Sequence, residues 1–146
     1  MKKILLFILF SGLSLMMMSQ DLQRDYLVVD QSSALFTELL AQYQGRENVF
    51  FNESPKPAPY VISSMLQRKQ VVDLHLYVAS QPGSLQFNST TINPGNAAGY
   101  TQFFEDWKNH VSGKVIIHGS DVFTTPEGIE LKSRLEKLTG LDFTSI

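Results

Sequence analysis

The sequence predicts an α/β fold, a three-layer sandwich with a mostly parallel central sheet and helices on both faces. Three observations point there. Short β-branched runs alternate with amphipathic helical patterns along residues 21–146, and such alternation favours parallel strands joined by helical crossovers. One run, Val71-Val72-Asp73-Leu74-His75-Leu76-Tyr77-Val78, is long and nearly continuously apolar, as expected for a central strand covered on both faces. Internal repeats, low-complexity tracts and domain linkers are missing from the sequence, so residues 21–146 read as a single domain around one core.

The chain opens with Met1-Lys2-Lys3, the apolar run Ile4 to Phe10, and a segment ending in Met18-Ser19-Gln20. A positive start, a short apolar stretch and a small residue before a polar segment make the three-part pattern of an export signal. Residues 1–20 are therefore expected to be a cleavable signal peptide. The run is interrupted and short against the roughly 20 apolar residues of a membrane span, so contact with a membrane is expected only through the uncleaved signal. No cysteine follows that could take a lipid. The expected location is secreted or periplasmic.

The domain elements follow in order. Tyr26-Leu27-Val28-Val29 reads as a strand. Ser32 or Ser33 is placed to cap a helix carrying Leu35, Phe36, Leu39, Leu40 and Tyr43, with Gly45 as its stop. Val49-Phe50-Phe51 is a second strand. Pro55, Pro57 and Pro59 forbid a helix until Pro59, which suits a first turn, and Val61, Ile62, Met65 and Leu66 supply its apolar stripe. After the central strand, Gln81-Pro82-Gly83-Ser84 reads as a turn, and Leu85-Gln86-Phe87 with Thr90-Thr91-Ile92 as a hairpin. Tyr100, Phe103, Phe104, Trp107 and Val111 recur at helical spacing and are expected to cover the sheet. Lys114 to His118 is another buried strand. Thr125-Pro126 opens a last helix lined by Leu131, Leu135 and Leu138 and ended by Gly140.

Composition narrows the chemistry. The chain has no cysteine, which excludes disulfides, thiolate metal sites and cysteine nucleophiles. Its formal charge of −2 and the absence of a basic run argue against nucleic acid as a partner. In open parallel sheets ligands bind beyond the carboxyl ends of the strands. The two best central strands end at Val78-Ala79-Ser80-Gln81 and at His118-Gly119-Ser120-Asp121. Ala79, Ser80, Gln81, Gly119, Ser120 and Asp121 are thus the expected binding positions.

The stretch from Asp73 through Ser84-Leu85-Gln86-Phe87 to Ile92 resembles the central block of the bacterial DUF4347 domain family. Val115 to Ser145 is similar to the family's second block, with Leu138-Thr139-Gly140-Leu141-Asp142-Phe143 matching its tail. Leu27 to Asp30 fits the opening strand, so the resemblance spans most of residues 21–146. It implies a caspase-like, gingipain-like fold, in which a histidine after one central strand and a cysteine after the next form a dyad. The family's histidine falls on Ala79 and its cysteine on Ser120. Ala79 offers no proton acceptor, and a serine hydroxyl without an adjacent base is a very weak nucleophile.

The resemblance therefore implies a degenerate, inactive member. The expected role is a binding or accessory module at the cell envelope, with a peptide, a glycan or an envelope protein as its partner. The rival expectation is a serine-based hydrolase. His118 sits two residues before Ser120 and would project to the same side of an extended backbone; His75 and Asp121 are the other rescue candidates. The alternative for both histidines is a strand residue packed between sheet and helix. A third reading is an accessory whose cleft is filled by its own side chains. Asp73, His75, His118 and Asp121 follow no recognised ligand spacing, so neither a metal nor a cofactor is expected. Asn52-Glu53-Ser54 and Asn88-Ser89-Thr90 match the glycosylation sequon, read as chance.

Overall fold

A computed structural model describes residues 24–119 and 121–146. The expectations placed on residues 1–20 and on Ser120 lie outside the described residues. Five parallel strands form the central sheet in the order β2-β1-β3-β7-β8. They are β1 (Arg24–Asp30), β2 (Val49–Asn52), β3 (Val71–Tyr77), β7 (Val115–His118) and β8 (Phe143–Ser145). A second, antiparallel sheet joins β4 (Ala79–Gln81), β5 (Ser84–Gln86) and β6 (Thr91–Ile92).

The helices are α1 (Phe36–Tyr43), α2 (Ala58–Leu66), α3 (Thr101–Trp107) and α4 (Pro126–Thr139), with a 3₁₀ turn at Ala97–Tyr100 leading into α3. The chain runs from β1 out to β2 through α1, then returns across the sheet to β3 through α2. The reversal of direction is matched by a reversal of face, as crossovers of one hand require. Helices α2, α3 and α4 cover one face and α1 packs on the other, against β1 and β2. The fold is the predicted α/β sandwich with a parallel core sheet.

Periodicity explains which face is dry. Val28, Leu74, Leu76, Val115 and Ile117 alternate inward and meet Ile62, Leu66, Trp107, Leu131 and Leu135 from the three helices. Burying a side chain of this size contributes roughly 1.5–3 kcal/mol, which makes this layer the main source of stability. On the other face Val29, Phe36 and Leu39 form a smaller cluster, joined at its margin by Leu40, Tyr43 and Tyr77.

Local signals place three of the helix ends. Pro59 lies in the first turn of α2. The Thr125 hydroxyl accepts from the Gly128 N–H at 3.1 Å and Pro126 opens α4, while Gly140 ends it at φ 71°. Backbone with positive φ favours glycine because it has no Cβ to clash.

Several expectations need correcting. Neither Ser32 nor Ser33 caps α1; Leu35 holds that position without a side-chain bond and is exposed. Ser33 accepts from the Leu35 N–H and Ser32 from the Ala79 N–H, so tertiary contacts claim one of the two hydroxyls. Strand β3 is central but not dry on both sides: Val72, Asp73, His75 and Tyr77 are only half-buried. Helix α3 ends at Trp107, and Val111 instead bridges to Val71. Strand β8, absent from the sequence reading, is three residues long, too short to show a period of two. Ala79–Gln81, at the end of β3, adds a third strand to the expected hairpin.

Candidate functional site

Two places gather the residues of interest: the carboxyl ends of the strands and the half-covered sheet face. At the first, β1 and β3 flank the point where strand order reverses. Asp30 ends β1 with no exposed surface. Its Oδ2 accepts from Asn52 Nδ2 at 2.7 Å, and its Oδ1 from the N–H groups of Ser32 (3.0 Å) and Asn88 (2.7 Å). A buried carboxylate is tolerated only with such donors around it. Asp30 thus ties the ends of β1 and β2 to the loop after β5. Asn52 is likewise fully buried, which removes the first sequon as an acceptor in the folded domain.

Ala79 lies beside this knot. Its N–H donates to the Ser32 hydroxyl at 3.1 Å, and its carbonyl side runs into the three-stranded meander opposite Gln86. Ser80 pairs with Leu85, and its side chain stands directly against Gly119: a Cβ built on Gly119 would lie 2.4 Å from Ser80 Oγ. The two strand ends therefore lie close together, and a side chain at 119 would need the Ser80 hydroxyl to turn away. Gln81 and Asp121 are exposed. Asp121 has φ 70°, and its carbonyl accepts from the Thr124 hydroxyl at 2.8 Å. Positive φ is uncommon for a non-glycine residue, and aspartate tolerates it better than most. The Gly83 N–H donates to the Val122 carbonyl at 3.0 Å, so the meander also docks on the segment after β7.

The second place lies on the face that α1 leaves partly open. His75 on β3 and His118 on β7 sit on adjacent strands, His75 opposite Ile116 and His118 opposite Tyr77. His75 Nδ1 and His118 Nε2 are 2.8 Å apart. The Tyr77 ring stacks on the His118 ring, with centroids 4.0 Å apart and planes within 7°. Asp25 completes the row. The register of β1 against β3 shifts between Arg24 and Tyr26, and such irregularities re-aim side chains. Here Asp25 Oδ1 accepts from the Asp73 N–H at 3.1 Å, while its Oδ2 lies 3.5 Å from His75 Nε2.

Burial, and to a lesser degree the neighbouring His75, holds the His118 imidazole below its ordinary pKa. Burial and then Tyr43 push the Tyr77 phenol up, so it stays protonated. The two histidine rings stack on each other, 5.1 Å apart, and the His118 ring also stacks on Tyr77. Of the four groups considered for a metal, only these two meet. Asp73 turns its carboxylate to the Lys114 N–H at 2.9 Å, and no group of three or more His, Cys, Asp or Glu side chains among the described residues is arranged to hold an ion. Asp25 and Tyr77 carried no local sequence signal, since both act across strands.

Two open surface grooves lie elsewhere, one lined by Glu105, Glu130, Arg134 and Leu138, the other by Tyr26, Phe50, Tyr60 and Met65. Neither lining includes Ala79, Ser80, Gln81, Gly119 or Asp121. No helix among the described residues is long and apolar enough to cross a membrane.

The fold and its strand ends define a single parallel α/β sandwich whose carboxyl edge is crossed by an antiparallel meander. The chain belongs to the DUF4347 family: the family model, described as a domain of unknown function, matches residues 26–145. The match starts at the third residue of β1, leaving out Arg24 and Asp25, and runs to the end of β8. Comparison with curated proteins returned no match, and comparison with solved structures returned none either.

Proposed function

We propose that this chain is an exported, catalytically inactive caspase-like domain that serves as a binding or accessory module at the cell envelope. The observation that carries the reading is the state of Ala79. At the position where the family resemblance puts a histidine, the side chain is a methyl group. The backbone N–H there is committed to Ser32 and the strand continues into the meander. No proton acceptor stands at that position, and general-base help is what a hydroxyl nucleophile requires. Contact between Ser80 and Gly119 further favours a closed strand-end region over a substrate cleft. The exposed Gln81 and Asp121 flank it and offer polar contacts to a peptide, a glycan or an envelope protein. The export pattern in residues 1–20 supports the location.

The hydrolase alternative draws on one specific observation, the row Asp25–His75–His118. A carboxylate that orients an imidazole is part of the known logic of serine hydrolases. The decisive measurement is labelling of the purified protein with a serine-directed fluorophosphonate, alongside Ser120→Ala. The inactive reading expects no labelling above that of the variant. Labelling that disappears in Ser120→Ala overturns it.

A further inference from the structure

We propose that His75 and His118 form a two-nitrogen binding site for a divalent transition metal of the copper–zinc class, with Asp25 as the positioning residue. The proposal is independent of whether Ser120 reacts, because the pair lies on the sheet face.

The geometry carries it. Imidazole nitrogens bind such ions at about 2.0–2.1 Å, so two ligands at a right angle sit about 2.8–3.0 Å apart. The two nitrogens here are 2.8 Å apart. They come from neighbouring strands whose parallel pairing fixes both backbones, so rotating the rings is the main adjustment needed. The His118 ring stacks on Tyr77, so the His75 ring makes most of that rotation. Asp25 lies next to the outer nitrogen of His75, the arrangement in which a carboxylate takes the N–H and leaves the other nitrogen's lone pair for a metal. That carboxylate is itself held by the Asp73 N–H, and its charge partly offsets the ion's.

Proton bookkeeping is simple. The 2.8 Å contact is a hydrogen bond between the two nitrogens, so one of them carries the shared proton in the ion-free pair. Binding needs lone pairs on both His75 Nδ1 and His118 Nε2, so that proton moves to the far nitrogen of its own ring or is released to solvent. With two protein nitrogens, the remaining positions belong to water or an incoming small ligand. Nitrogen sites of this kind bind copper(II) most tightly among first-row divalent ions. The His75 side chain is 19% exposed.

The test is a copper(II) titration of the purified protein followed by electron paramagnetic resonance. One equivalent should give a one-to-one complex with hyperfine structure from two imidazole nitrogens. His75→Gln and His118→Gln should each weaken binding at least tenfold and remove the two-nitrogen pattern. Asp25→Asn should weaken it about 10–100-fold while keeping that pattern. His110→Gln, at the remaining histidine, should change nothing. Far-ultraviolet circular dichroism checks that each variant is folded. Absence of a complex at stoichiometric copper overturns the proposal. So does a spectrum unchanged in the folded His75→Gln/His118→Gln double variant, which would place the copper elsewhere.

Discussion

The two faces of the central sheet obey different rules although the same strands build both. On the face under α2, α3 and α4, the inward residues of β1, β3 and β7 are apolar and almost fully buried. On the other, α1 covers β1 and β2, and β3 and β7 present His75, Tyr77 and His118 at intermediate burial. A polar side chain under three helices would need a partner for every donor and acceptor. On the half-covered face it needs only its neighbours and water. The comparison teaches that stability is concentrated on one side of the sheet, and freedom to carry chemistry on the other.

Breaking the dry face should cost most. Leu135 lies at the centre of α4 with no exposed surface, and Leu135→Ala should lower unfolding free energy by about 2–5 kcal/mol. Urea denaturation followed by tryptophan fluorescence measures it, since Trp107 belongs to the same cluster. A loss below about 1 kcal/mol would mean that the three-helix face is less tightly packed than described.

The carboxyl edge, between the two faces, ranks second. Asp30→Asn keeps the shape but turns one acceptor oxygen into a donor among three donors. It should cost about 1–3 kcal/mol, read by the same titration. Amide exchange at Asn88 should quicken, since the side chain at 30 then offers that N–H a weaker acceptor. Unchanged exchange there would argue that the loop after β5 holds itself without Asp30.

The smallest effects belong to the half-covered face and are read through pH. The unfolded chain protonates His118 near the ordinary value of 6.5, the folded chain only lower. Between those values the unfolded state binds more protons, so this contribution is complete above about pH 6.5 and is lost as pH falls through the folded pKa. Melting temperature should fall from pH 7.5 to 5.5, and the fall should shrink in His118→Gln. Asp106, on α3 where it meets α2, supplies the contrast. Burial raises its pKa, but hydrogen bonds from Asn109, Ser63 and Gln67, together with His110, outweigh that and hold it below the usual carboxylate range. Its contribution is present above about pH 3.8 and lost only under stronger acid. An equal pH 5.5 loss in His118→Gln and the parent would detach the first transition from this histidine.

Much of the architecture was legible in the residues. Alternating strand and helix patterns, Pro59 in a first turn, Thr125-Pro126 as a helix start and Gly140 as its stop all act within a few residues. The two strand ends that frame the carboxyl edge were legible for the same reason. The three-residue β8 was not, and neither were the uses of Ser32, Asp30 and Asn52, whose partners lie more than 20 residues away.

By itself, the sequence determined the α/β class, the start of α2 and both ends of α4, because each depends on residue type and local spacing. Tertiary structure alone decided that His75 meets His118 across 43 residues, that Asp25 rather than Asp73 joins them, and that Ser80 stands against Gly119. Those contacts are set by strand register and by which face the helices cover. A one-residue shift in register would turn every one of them to the other side of the sheet.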